Sequence, residues 1–364
     1  MSKIIPDHIQ NISPYVPGRL IEEVERELGL TGLIKLASNE NSLGSSPLAL
    51  AAMAEYLPRI HRYADADSRS LKKALTDKFG FDPLTLVAGN GSSEFILVLA
   101  HILLGSGLKA VMSKPSFTLY AKNAQAAGAE VVEIPLTKEY GHNLSALAQA
   151  IDDHTRLVIL DNPLNPTGAW LTAEDIMAFH RSLPESTVLV VDEAYVEFAR
   201  RKRPDWREAL ISPGRLVVMR TFSKLYGLAG LRAAYALMSP ELAQAVNKAR
   251  QPFNLNLLAQ VAAVAALADD DFVEKTLRMT WRCLDFYQAE TLRLGLKPSP
   301  TEANFIMVDL AGRLADQVYQ EVVQRGVITR SLTSFGLPYH LRFNAGTERE
   351  GQALIQALQQ ALGA

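Results

Sequence analysis

The chain reads as an α/β protein: a large domain built on a mostly parallel, seven-stranded sheet flanked by helices, followed by a smaller α+β domain. Three observations carry that expectation. Seven short runs rich in Val, Ile, Leu or Ala alternate with helical stretches between Leu86 and Met238, which is how strands read when both faces of a parallel sheet are covered. A length of 364 residues exceeds what one hydrophobic core normally supports, so two packed domains are expected. After a break at Leu296-Lys297-Pro298 the pattern changes to isolated strands and two helices.

Taken in order, residues 1–47 form an arm expected to pack with the smaller domain, 48–260 the large domain, and 261–364 a long connecting helix and the small domain. In the arm, Ile12–Gly18 is turn-rich. Leu20–Leu28 has helical spacing with Gly29 where a C-cap belongs, Leu33–Leu36 is a short strand, and Asn39-Glu40-Asn41 lies in a loop. The large domain predicts helices over 47–56, 68–79 and 92–104. Its strands are Leu86–Ala88, Lys109–Met112, Glu130–Ile134, Leu157–Leu160, Val188–Val191, Leu216–Met219 and Ala233–Met238. A helical region follows over about 240–294. The remainder predicts strands at Asn304–Val308, Val327–Thr329 and Leu341–Phe343, with helices over 312–325 and 347–362.

Composition narrows the function. Hydrophobic residues make up 48% and charged residues 21%, ordinary for a soluble enzyme, and a net charge of -2 argues against a nucleic-acid partner. The basic run Arg200–Arg203 reads as a solvated loop. Cys283 is the single cysteine, so no intramolecular disulfide forms, and a reducing, cytoplasmic setting is expected. No His/Cys cluster has metal-ligand spacing, so no metal is expected. The N-terminus lacks the apolar core of a signal peptide. The longest apolar run, Val261–Ala268, is too short to span a bilayer.

The chemistry concentrates where strands end. Thr221-Phe222-Ser223-Lys224 follows the Leu216–Met219 strand, with Gly227, Gly230 and Arg232 behind it. The Lys224 amine suits an aldehyde, and the hydroxyls with Arg232 suit a phosphate. Pyridoxal 5′-phosphate carries both groups. Gly89-Asn90-Gly91-Ser92-Ser93-Glu94 opens a helix, so its N–H groups suit either a phosphate or plain N-capping. Phe117 in Lys114–Tyr120 can stack on a flat ring or pack under its loop. In Asp161-Asn162-Pro163-Leu164-Asn165-Pro166-Thr167-Gly168 the prolines stiffen a turn that presents the Asn165 amide. Asp192 ends a buried run and needs a partner, which a pyridinium N–H supplies unless the residue caps a helix; Tyr195 can donate to the ring oxygen. Ligands of open α/β sheets bind beyond the carboxyl ends of the strands, and each candidate lies at one.

At these residues the chain resembles the fold-type-I, pyridoxal-phosphate-dependent aminotransferases of class I/II, over nearly its whole length. The runs Asn162–Gly168, Val191–Tyr195 and Thr221–Lys224 with Gly230-Leu231-Arg232 carry the resemblance. Ser13-Pro14-Tyr15, Leu36–Asn41, Arg62-Tyr63, Gly91–Glu94 and Leu341–Thr347 are similar to the branch that acts on histidinol phosphate. The resemblance implies that Lys224 links to the cofactor and then shuttles the proton, Asp192 pairs with the ring nitrogen, and Asn165 and Tyr195 bond the ring oxygen. It further implies that Phe117 stacks on the ring, that Ser92, Ser93, Ser223 and Arg232 hold the phosphate, and that Tyr63 crosses to the phosphate of a second subunit in a homodimer. Tyr15, Asn165, Arg330 and Arg342 would line the substrate pocket. Arg342 would take a carboxylate and Arg330 a substrate phosphate. The implied reaction is a ping-pong exchange between histidinol phosphate/imidazole acetol phosphate and glutamate/2-oxoglutarate. Threonine-phosphate decarboxylases and aromatic-amino-acid aminotransferases are similar as well. A non-catalytic regulator of this fold would carry a fused DNA-binding domain, for which the sequence has no room. Leu164 replaces the usual second Asn of the Asn-Pro-Asn-Asn-Pro pattern, Ser42 the usual Pro, and Phe343-Asn344-Ala345 a Val/Ile-Thr/Ser-Ile/Val run.

Overall fold

Several helix starts in the chain are set by side chains that take up the free N–H groups of the first turn. Ser46, Asn143, Ser239, Asn256 and Asp269 each accept such a bond, and Thr172 and Thr347 complete capping boxes with Asp175 and Glu350. Those caps explain one departure from expectation. The helical region over 240–294 is three helices, Pro240–Ala249, Leu257–Leu267 and Asp270–Arg293, each restarted by its own cap. Helices at Leu119–Ala126, Leu144–Gln149 and Ala173–Ser182, and a strand at Arg330–Ser331, were not expected from the pattern. The structure is a computed structural model and describes residues 4–14, 18–211 and 214–363.

The large sheet has the seven expected strands: β1 (Leu86–Asn90), β2 (Lys109–Lys114), β3 (Glu130–Pro135), β4 (Thr155–Asp161), β5 (Val188–Asp192), β6 (Leu216–Thr221) and β7 (Ala233–Met238). Their order is β1-β7-β6-β5-β4-β2-β3, and β7 alone runs antiparallel to its neighbours. The other six therefore present their carboxyl ends along one edge, and the start of β7 joins them there. β5, β6 and β7 are buried at every residue because helices cover both faces. Val191 and Val218 face a core shared with the helices Pro47–Tyr56, Arg69–Phe79 and Leu257–Leu267. Val190 and Met219 face the opposite core, which contains Leu99 and Tyr120. The edge strand β3 carries Glu130 and Glu133, charges that discourage further pairing.

A four-stranded antiparallel sheet follows, in the order Arg330–Ser331, His340–Asn344, Phe305–Asp309, Lys297–Pro298. The arm strand Ile34–Lys35 pairs in parallel with Val327–Ile328, and Leu36 is buried in the core of this C-terminal unit. The arm next crosses to the Lys224 loop, where Ser45 Oγ donates to the Gly227 carbonyl at 2.7 Å. Gly227 has φ +67, and a Cβ there would collide with the Gly44 carbonyl oxygen. Gly227→Ala is therefore expected to destabilise the protein by about 2 kcal/mol or more, from backbone strain and overpacking. Urea unfolding measures it; an unchanged midpoint would show that the arm does not clamp this loop.

Candidate active site

The carboxyl edge of the sheet opens into a cavity of about 500 Å³. At its floor, Asp192 ends β5, is 3% exposed, and accepts from Tyr120 Oη at 2.9 Å and from the Ala194 N–H at 3.0 Å. Burial pushes its carboxyl up to about 6, against the pull of those two donors and of Lys224. Lys224, three residues beyond β6, donates from Nζ to the Ser38 carbonyl at 3.3 Å and lies 5.7 Å from the centre of the Tyr195 ring. Burial first, then the Arg342 and Arg232 cations, bring its ammonium down to about 8. A lysine so placed keeps a minor neutral fraction near neutral pH, far more than an ordinary lysine, and in that form can accept a proton.

Tyr195 is held from behind. Asn39 Nδ2 donates to its Oη at 2.9 Å, and burial pushes the phenol up to about 12, so it stays a protonated donor. Asn39 sits in left-handed backbone with φ 55, and its own N–H donates to the Asn344 amide oxygen at 3.1 Å. Asn165 is fixed at two points: its N–H donates to Asp161 Oδ2 at 2.9 Å, and its amide oxygen accepts from Arg342 Nη1. That leaves the Asn165 amide hydrogens as its donors. Arg342 is itself buried, bonded through Nη2 to the Ala37 carbonyl at 2.9 Å and set 5.1 Å over the Phe305 ring.

At one end of the cavity the helix Ser92–Leu103 begins behind Gly91. A Cβ on Gly91, which has φ +79, would lie 2.5 Å from Arg232 Nη2; only glycine leaves room for the guanidinium. Arg232 Nη2 reaches Ser93 Oγ at 3.5 Å, and Thr221 Oγ1 bonds Ser223 Oγ at 2.9 Å. Hydroxyls, a helix N-terminus and one arginine make a cup for a small anion.

The cavity lining thus brings together Ser92, Ser93, Phe117, Asn165, Asp192, Tyr195, Ser223, Lys224, Arg232, Arg330 and Arg342 from the sequence-derived candidates. Phe117 stands edge-on to Tyr120, with ring centres 5.5 Å apart. Arg330 pairs in register with Arg342 and lies 5.9 Å from the Phe335 ring centre. Tyr15 lies outside the described residues. Tyr63 is not in this cavity: it is 84% exposed and stacks on Phe253 at 4.7 Å. Sequence reasoning missed Tyr120, Asn39, Asp161 and Lys122 as cavity residues. Tyr120 had a readable signal, standing three residues past Phe117 at the start of a helix; Asn39 had one in the Asn-Glu-Asn loop.

Known proteins supply the deciding comparison. The sequence profile of the family described as aminotransferase class I and II matches residues 31–358. The chain belongs to that family. It is an aminotransferase. A histidinol-phosphate aminotransferase 2 of Pseudomonas fluorescens is 42% identical over 357 residues, 97% of this chain and 96% of the relative. A histidinol-phosphate aminotransferase of Anaeromyxobacter is 39% identical over 364 residues, 99% of this chain and all of the relative. Among solved structures, the histidinol-phosphate aminotransferase of Sinorhizobium meliloti in complex with pyridoxal-5′-phosphate superposes with a TM-score of 0.91. It has 30% identity and covers 100% of this chain and 98% of its own. The seven-stranded sheet and its flanking helices are thus those of fold-type-I aminotransferases. Among the described residues no helix is long and apolar enough to cross a membrane.

Proposed function

We propose that this aminotransferase holds pyridoxal 5′-phosphate in the cavity and moves an amino group between histidinol phosphate/imidazole acetol phosphate and glutamate/2-oxoglutarate. One observation carries the cofactor reading: a half-buried lysine, a buried carboxylate and an anion cup line a single cavity. The donor set fits the group. Asp192 is a desolvated acid with room for one more donor, which a ring N–H supplies. Asn165 and Tyr195 offer hydrogens to a ring oxygen, Phe117 an apolar face, and Ser92, Ser93, Ser223 and Arg232 a phosphate site. When bound, the cofactor supplies an electron-withdrawing ring that makes the substrate α-proton acidic. Lys224 Nζ, neutral in part because of desolvation and two nearby arginines, would take that proton and return it two atoms along, on the far side of the bridging nitrogen. Tyr120 and the Ala194 N–H hold Asp192 charged and oriented while this happens.

Two features support a phosphorylated substrate. Arg342 is already engaged with Asn165 and Ala37, and Arg330, its register partner on the neighbouring strand, adds a second guanidinium. The full-length relatives point to the same substrate. A homodimer is part of this reading: Tyr63, exposed and stacked on Phe253 a few residues after the exposed Leu57 and Ile60, would serve the cavity of a second copy.

The test is a panel of single amino donors, with 2-oxoglutarate as acceptor. Turnover is expected with histidinol phosphate; carbon dioxide release from threonine phosphate, or turnover of phenylalanine alone, would redirect the assignment. In the same panel Arg330→Ala is expected to raise KM for the phosphorylated donor by about 10- to 100-fold, the value of one charge-assisted contact. The phenylalanine rate should barely respond. Equal losses on both donors would remove Arg330 from the phosphate subsite.

A further inference from the structure

Asp161 is a buried acid that the chemistry above does not use. It ends β4 directly across from Asp192, which ends β5, and both are 3% exposed in the wall of the same cavity. Register partners on parallel strands point to the same side of the sheet, with strands about 4.8 Å apart. Two carboxylates so placed, away from water, cannot both carry charge without a large cost.

What each carboxyl meets decides which one keeps the proton. Asp192 accepts from Tyr120 Oη and the Ala194 N–H, and the Lys224 cation favours its charged form. Asp161 Oδ2 accepts from the Asn165 N–H at 2.9 Å, while Oδ1 is buried with no hydrogen-bond partner. The ring of His142 stands close, with Nε2 3.8 Å from Oδ1. That ring brings no charge. Its Nε2 faces the Asp161 backbone carbonyl at 2.9 Å and must donate there; its Nδ1 faces Ser113 Oγ at 2.7 Å, and the serine can supply that hydrogen. A neutral imidazole satisfies both contacts, and burial holds His142 down to about 4. Arg342 reaches the Asn165 amide, and among the described residues no lysine or arginine pairs with Asp161. Burial and the Asp192 charge therefore push the Asp161 carboxyl well above the usual range, opposed by the N–H groups of Asn165 and of Asp161 itself.

We propose that Asp161 is a protonated, neutral positioning residue: it anchors the backbone of Asn165 and leaves Asp192 as the one charged acid on the cavity floor. The role assigned to Asn165 rests on the cofactor reading above; the protonation of Asp161 does not. A neutral acid here keeps the hydrogen bond to Asn165 and withholds the second negative charge that would compete with Asp192 for a ring proton.

The two parts are tested separately. Infrared difference spectra of the cofactor-free protein, labelled with ¹³C only in aspartate side chains, are recorded at pH 8. A protonated-carboxyl band is expected in the native protein and in Asp192→Asn, and is expected to vanish in Asp161→Asn. No such band, or one lost in Asp192→Asn and kept in Asp161→Asn, overturns the assignment whatever the cofactor proves to be. With cofactor and substrate present, Asp161→Ala is expected to lower kcat about 10-fold, the value of roughly one anchoring hydrogen bond. Asp161→Asn, the shape of the neutral acid, is expected to restore most of it with an unchanged pH profile. An asparagine no better than alanine would mean that the anionic form is the one used.

Discussion

Lys224→Ala is expected to lower kcat by on the order of 10³-fold or more and to abolish the yellow absorbance of the lysine-linked cofactor. The Lys224 amine is placed to make that link and to accept the substrate proton, and it lines the cavity with a donor contact to the Ser38 carbonyl. Its burial has a second, independent signature. The folded protein holds the ammonium down to about 8, from an ordinary 10.5. Below pH 8 the lysine is protonated in both folded and unfolded states, so folding bears the full cost of burying it. Between about 8 and 10.5 the folded state has already released its proton while the unfolded chain has not, so stability rises with pH and the cost fades. Lys224→Met in the cofactor-free protein is therefore expected to raise Tm at pH 7, with a gain that shrinks across that window. A gain that grows with pH would show that the amine is not desolvated, and native turnover by Lys224→Ala would refute its role outright.

The large sheet was legible because its strands are covered on both faces. Val188–Val191 and Leu216–Met219 stand out in the sequence as uninterrupted apolar stretches, and both lie in fully buried strands. The sheet order could not be read, because adjacency is set by crossovers and not by local pattern. In the helical region over 240–294 the breaks carried local signals, Pro252 and the Asp269-Asp270-Asp271 run, and the caps Asn256 and Asp269 restart the helices there. The same division runs through the site. Lys224, Asp192 and Asn165 sit in distinctive local runs at strand ends. Asn39 meets Tyr195 across 156 positions of chain, and Asp161 meets Asp192 only through strand register. Such residues have no local signature of the contact they make.

Asp192→Asn is expected to cost on the order of 10²- to 10³-fold in kcat, the usual effect of removing a preorganised electrostatic partner of the reacting group. The amide keeps the shape and can still meet the Tyr120 hydroxyl, so the loss isolates the charge. Stability should move differently. In the cofactor-free protein the Asp192 carboxyl is raised from 3.8 to about 6. The folded state therefore binds more protons than the unfolded chain between those values, and above about 6 the buried charge is a net cost. At pH 7 the cofactor-free asparagine variant should be no less stable than the native protein, while its Tm should rise less on adding pyridoxal 5′-phosphate. For the native protein, cofactor affinity should weaken as pH falls through about 6 and the carboxyl takes a proton of its own. That pH dependence should disappear in Asp192→Asn. A variant that binds the cofactor as tightly as the native protein, with the same pH dependence, would remove Asp192 from the ring nitrogen and leave the proposed division of charge between it and Asp161 without a purpose.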